Sequence, residues 1–172
     1  LLYSPKGVYV LMTGSDRKLT ATKREDFADL WKEDVFEFFF WPDEKETLYF
    51  EYEISPLDRE LVLLIPNLDH KQHGWRPWHY EGDRKIRKAV SFAGKSGGKA
   101  QSGETISGWT AEVFVPYALL KPLRNVPPQS GTRWRANFYR CDYDDGDSAS
   151  WSWKPVDSSF HEYEKFGTIE FE

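Results

Sequence analysis

The sequence predicts an all-β domain: an antiparallel β-sandwich, jelly-roll-like, with only short helical turns. Two observations predict it. About nine short stretches read as strands, by alternation of apolar and polar residues or as brief apolar runs. Turn residues (Pro, Gly, Asn, Asp) punctuate them, and almost nothing repeats at helical spacing. No internal repeat, low-complexity tract or linker divides the 172 residues. Residues 1–172 therefore read as one domain, long enough to bury a core.

Pro5-Lys6-Gly7 reads as a turn and Val8–Met12 as a buried strand, broken by Gly14-Ser15-Asp16. A short helix over Lys23–Leu30 is expected to deliver Trp31 to the next strand, Val35–Trp41, which is aromatic at nearly every position. Strand side chains alternate, so Phe36, Phe38 and Phe40 share one face, and Val35, Glu37, Phe39 and Trp41 the other. Pro42-Asp43-Glu44-Lys45 turns the chain into Thr47–Ser55, and the two strands read as a hairpin. There Leu48, Phe50, Tyr52 and Ile54 oppose Tyr49, Glu51 and Glu53, which reads as one core face and one polar face. Glu60–Ile65 is an apolar run stopped by Pro66-Asn67.

The long irregular segment Leu68–Asp83 carries Trp75 and Trp78. Loops of that length are often functional, and its aromatics either rim a site or fold over an open end of the sandwich. Ile86–Phe92 reads as a strand with basic residues outward, and Gly94–Gly103 as a Gly/Lys/Ser-rich loop. The strand Ile106–Val115 ends at Pro116, which opens a short helix to Leu120 because proline suits a first helical turn. Thr132–Cys141 is a strand, followed by an acidic loop, Asp142–Asp147, and a short strand, Ser150–Trp153. After an irregular crossing, Phe166–Glu172 closes the domain.

Net charge is −5, which argues against a nucleic-acid partner, since neutralising phosphates needs a basic face. Only Arg84–Lys88 and Lys95–Lys99 are locally basic, and they read as solvated. No apolar run is long enough to span a membrane. Cys141 is the only cysteine, so no internal disulfide forms.

Metal and nucleophilic chemistry find little support. His70 and His73 lie in a loop rather than on a helix that would align them, and Asp142–Asp147 lacks the spacing of a calcium loop and reads as a hairpin turn. With 28 acidic residues, carboxylate pairs for glycoside cleavage can always be drawn, so none is specific. Aromatics at 17%, with 8 Trp, exceed what a core obviously needs. Rings cover the apolar faces of sugars, and carboxylates accept hydrogen bonds from their hydroxyls. Glu37 is the odd charge on its aromatic strand and needs access to water or a partner, either a basic side chain or a ligand's hydroxyls.

Several stretches occur in a telling order. They are Trp31-Lys-Glu-Asp-Val-Phe-Glu37-Phe-Phe, Tyr49-Phe-Glu-Tyr-Glu-Ile54, Gly108-Trp-Thr-Ala-Glu-Val-Phe-Val-Pro116, Trp134-Arg-Ala-Asn-Phe-Tyr-Arg140, Ser150-Trp-Ser152 and Phe160-His-Glu-Tyr-Glu-Lys-Phe166. Together they resemble the family 9 carbohydrate-binding modules and family-9-like proteins over nearly the whole chain. The resemblance implies a sandwich that grips a terminal sugar between two rings, with a glutamate and other polar strand residues bonding its hydroxyls. By position Trp31 falls on the first ring and Glu37 on the glutamate. Phe160 stands where a second tryptophan is expected, Glu51 where an arginine is, and Tyr139 where a glutamine is. Arg140 is a further candidate, although alternation turns it to the opposite face from Tyr139. Trp75 and Trp78 are possible rim residues, and Trp151 and Trp153 either extend the platform or belong to the core.

The resemblance also implies structural calcium without indicating its ligands, at least one strand ahead of Val8, and a secreted or periplasmic location. The expected function is non-catalytic binding of a carbohydrate ligand in glycan degradation. Two alternatives stand beside it: a glycoside hydrolase acting on xylan- or glucan-type substrates, and a structural module without a ligand site.

Overall fold

The computed structural model describes residues 1–93 and 100–172. Lys95–Lys99, and the Gly94–Gly103 loop up to residue 99, lie outside the described residues. In chain order the strands are β1 (Leu2–Ser4), β2 (Gly7–Gly14), β3 (Val35–Trp41), β4 (Leu48–Ile54), β5 (Glu60–Leu68), β6 (Lys71–Gln72), β7 (Arg76–Pro77), β8 (Arg87–Phe92), β9 (Trp109–Pro116), β10 (Arg133–Asp144), β11 (Asp147–Ser152) and β12 (Gly167–Glu170). One helical turn, α1 (Tyr117–Leu120), follows β9, with Pro116 as its N-cap. All pairings are antiparallel. One sheet runs β1-β2-β9-β8; the other runs β11-β10-β3-β4-β5-β6, with β12 sharing an edge of β10 with β11 and β7 pairing β5.

The core between the sheets follows from alternation. Val8 and Val10 of β2 and Val113 and Val115 of β9 meet Phe36, Phe38 and Phe40 of β3 and Phe50, Tyr52 and Ile54 of β4. Each such side chain contributes about 1.5–3 kcal/mol by leaving water. Trp78 of the long loop folds inward here: its Nε1 donates to the Leu119 carbonyl at 3.1 Å and its ring packs against this core.

The outer face of the larger sheet departs from expectation. Tyr49, Glu51 and Glu53 do not look into solvent. They are buried with Val35, Glu37, Phe39 and Trp41, so all seven residues of β3 are enclosed on both sides. The cover comes from distant chain: Leu30, Tyr163 and Phe166 form a second apolar cluster with Phe39, Trp41, Tyr49 and Ile65.

Other differences have local causes. No helix forms over Lys23–Leu30, because its polar groups bond elsewhere: Glu33 accepts the Thr22 and Lys23 N–H groups, and the Phe27 N–H donates to Glu60. The only helical turn there is 3-10, at Leu30–Lys32. Pro66 does not stop β5. The Asn67 N–H donates to Thr47 on one side and Pro66 accepts from His73 on the other, so proline's missing N–H faces away from β4. The acidic loop shrinks to a two-residue turn, Asp145-Gly146, both with positive φ (49° and 95°), the combination that suits a tight hairpin.

Gly108 leads into β9 with φ +146°, and a Cβ there would strike the Gly14 carbonyl oxygen. Gly108→Ala is expected to cost about 1–3 kcal/mol in chemical denaturation, through strain and overpacking.

Candidate functional site

The buried outer face of β3 and β4 gathers three carboxylates. Register places Glu37 directly opposite Glu53, and Glu51, two residues before Glu53, projects from the same face. One oxygen from each lies within 4.8 Å of the other two. Like charges placed opposite each other in a sheet repel, and buried charges without partners are costly. Glu53 accepts the backbone N–H of Trp31, and Glu51 and Glu53 lie close enough to share a proton; no other group donates to Glu37 Oε1, Glu51 Oε2 or Glu53 Oε2, all buried.

The pKa directions follow from burial. Glu37 is pushed well above the usual carboxylate range by burial and by the Glu51 charge, and Glu53 by burial and by both neighbours. Burial raises Glu51 to about 8, opposed by its hydrogen bond with Glu53. An acid whose folded pKa is raised keeps a proton that the unfolded chain releases, so stability is lost as pH rises from the unfolded to the folded value. In chelator, the protein is expected to lose unfolding free energy between about pH 5 and pH 8, by up to about 1.4 kcal/mol per pH unit for each proton, read by chemical denaturation. The groups facing Glu51 are Glu37, Glu53, Tyr49, Tyr139 and His161. Glu51→Gln should flatten the slope; an unchanged slope would place it in other groups.

Three separate pieces of chain build the roof. The turn at Leu30–Lys32 holds Trp31, whose carbonyl accepts from the Tyr143 hydroxyl at 2.9 Å. The loop around β7 supplies Trp75, edge-on to Trp31 at 6.1 Å and 57% exposed. The crossing before β12 brings Phe160 and His161. Phe160 stacks on Tyr139 (4.1 Å, 13°), whose hydroxyl donates to the Phe160 carbonyl at 2.8 Å. His161 lies over Phe39, shares a 2.6 Å hydrogen bond with the Tyr49 hydroxyl, and is held near pKa 4 by burial. It is therefore neutral at pH 7 and supplies no positive charge to Glu51, 3.8 Å away. His70 pairs with Glu164 and ties the two roof loops together.

Beneath this roof lies a hollow of about 400 Å³, walled by Trp31, Trp75 and Phe160 and floored by the three glutamates. Of the residues singled out in the sequence, Trp31, Glu37, Glu51, Phe160 and Trp75 are brought together there. Tyr139 lies behind Phe160 and does not line the hollow. Trp78 belongs to the main core. Sequence reasoning overlooked Glu53 and His161, although Glu53 stands at the same alternation as Glu51.

Arg140, Trp151 and Trp153 are elsewhere. They line a larger hollow of about 930 Å³ on the opposite side of the sheet, with Met12, Asp16 and Asp142. Its charges meet one another: Arg140 Nη2 lies 3.3 Å from Asp16 and 3.2 Å from Asp142, and the guanidinium sits 5.3 Å from the Trp151 ring. We take the smaller hollow as the site because its carboxylates have no comparable partner among the described residues.

Asp16, Asp34 and Asp142 also bring one oxygen each within 4.8 Å of one another, and carboxylate oxygens suit calcium in kind. As arranged, however, they fit a structural calcium poorly. Arg140 already stands between Asp16 and Asp142, and the two Asp34 oxygens take the Thr20 and Tyr143 N–H groups at 2.6 and 2.8 Å. This is an ion-pair network that anchors the end of β2 to β10.

The fold is that of an antiparallel β-sandwich with a roofed hollow on one outer face. The family model described as carbohydrate-binding family 9 matches residues 3–171, and the chain belongs to that family. Membership makes carbohydrate binding the general function of the domain. An extracellular protein of the fungus Arthroderma benhamiae is 27% identical over 150 residues, covering 83% of this chain; the chain spans 63% of that relative's length. A crystal structure of a candidate carbohydrate-binding protein from Bacteroides uniformis superposes with a TM-score of 0.68, covering 96% of this chain and 74% of the other, at 20% identity. At that identity the likeness is one of fold. No helix among the described residues is long and apolar enough to cross a membrane.

Proposed function

We propose that the roofed hollow receives the terminal sugar of a polysaccharide or oligosaccharide, without catalysis, in glycan degradation. The observation that carries this reading is the convergence of Trp31 and Phe160 on Glu37, from two remote parts of the chain, around one hollow. The rings offer flat apolar walls to sugar C–H faces, and Glu37 offers acceptors to hydroxyls. A monosaccharide-sized group fits a space of about 400 Å³. Phe160 is pre-positioned by its stack on Tyr139, which lowers the ordering cost of binding.

The reading is tested on a glycan array, repeated with Trp31→Ala, alongside a turnover assay on xylo- and gluco-oligosaccharides. The expected result is a ligand retained by the wild type, lost by the variant, and not cleaved. Binding that survives Trp31→Ala would move the site elsewhere, and cleavage abolished by Glu37→Gln would make the domain a hydrolase.

A further inference from the structure

We propose that Glu37, Glu51 and Glu53 form a binding site for a hard divalent cation of calcium size, on the floor of the hollow. The inference goes beyond the sugar reading and does not depend on it.

Geometry comes first. Calcium takes oxygen ligands at about 2.3–2.6 Å, so ligands on opposite sides of the ion stand roughly 5 Å apart. The three carboxylate oxygens, within 4.8 Å of one another, fall inside that span. All three donors are oxygens, which suits a hard cation rather than a thiophilic one. Rigidity comes from the floor, since Glu37 and Glu53 are paired across β3 and β4 in the centre of the sheet.

The second observation is independent of proximity. Glu37, Glu51 and Glu53 are 2%, 4% and 1% exposed and line the hollow; Glu51 and Glu53 have only each other to share a proton with there, and Glu37 Oε1 has no partner. Buried polar atoms nearly always have partners, and one shared proton does not serve three carboxylates, so the space is short of a donor or an ion. Side chains do not provide it: among the described residues the only basic group within 4.0 Å of the trio is neutral His161, whose Nδ1 is engaged by Tyr49. The other acidic cluster makes the contrast, because there Arg140 supplies the cation.

The consequence is a Trp-lined metal pocket. Trp31 is tied through its backbone N–H to Glu53, so an ion ordering the trio also orders a wall of the hollow.

The experiment uses the full chain, stripped with chelator, and calcium alone. Calorimetry should show a single high-affinity event. Terbium in place of calcium should luminesce when tryptophan is excited, through Trp31 and Trp75. Glu51→Gln is nearly isosteric and removes a like charge, so it should fold; it is expected to weaken calcium by at least about tenfold. Glu53→Gln serves as the second variant and should do the same, while Asp142→Asn should leave the affinity unchanged. The proposal is overturned by no calcium heat and no terbium signal above the chelator baseline. It is equally overturned by wild-type affinity in either glutamine variant, or by loss confined to Asp142→Asn. Since no sugar is present, a protein that binds calcium but no glycan overturns only the sugar reading.

Discussion

Phe39→Ala is expected to lower the unfolding free energy by about 3–5 kcal/mol, the range for deleting a fully buried aromatic ring. Phe39 is completely enclosed, and its ring is the common neighbour of Tyr49, Tyr139, His161 and Phe166 at 5.0–5.9 Å between centroids. Tyr49 and Tyr139 belong to the sheet; His161 and Phe166 belong to the crossing that covers it. Truncation therefore leaves a cavity at the joint between sheet and cover. Repacking from the solvent side is blocked, because Phe166 is itself 2% exposed. A urea titration should show the midpoint falling with little change in slope. A loss below about 1 kcal/mol would mean that the cover collapses onto the gap, and that the outer cluster is looser than its ring contacts indicate.

Trp31→Ala is the second large effect, and it should separate binding from stability. Trp31 is only partly buried, and it hydrogen-bonds through its backbone: the N–H to Glu53 and the carbonyl from Tyr143. Truncation leaves both in place, so the melting temperature should move little. An indole face against a sugar supplies roughly 2–3 kcal/mol from buried area and ring geometry, or about 30- to 150-fold in Kd. Calorimetry with the best glycan from the array measures it. An unchanged Kd would exclude the indole as a wall of the sugar site; a large fall in melting temperature would make it a structural residue.

Much of the fold was legible because alternation is a local signal. Alternation gives β3 from Val35 to Trp41 as it stands and β4 within a residue at each end, and the facing of Phe36 against Glu37 follows from pleating alone. Alternation likewise puts Arg140 on the face away from Tyr139. What alternation cannot report is what lies over a face. Tyr49, Glu51 and Glu53 look like a solvated stripe until residues 156–166 and Trp75 arrive from far along the chain. The same blindness grouped Trp151 and Trp153 with Glu37, although a sheet separates them. The expected Lys23–Leu30 helix failed for a related reason: Asp26 accepts the Glu60 N–H, a bond between distant residues that composition does not reveal.

Cys141 sits under the same roof as the three glutamates, as one of the lining residues of the hollow, and is the only sulfur in the chain able to couple with another molecule. In air or any oxidising fluid, an unpaired thiol on the surface would link copies of the chain together. Enclosed here, it stays single for as long as the loops above remain shut. Non-reducing gels run after mild warming would therefore time the first lifting of those loops, as a dimer band appearing ahead of global unfolding.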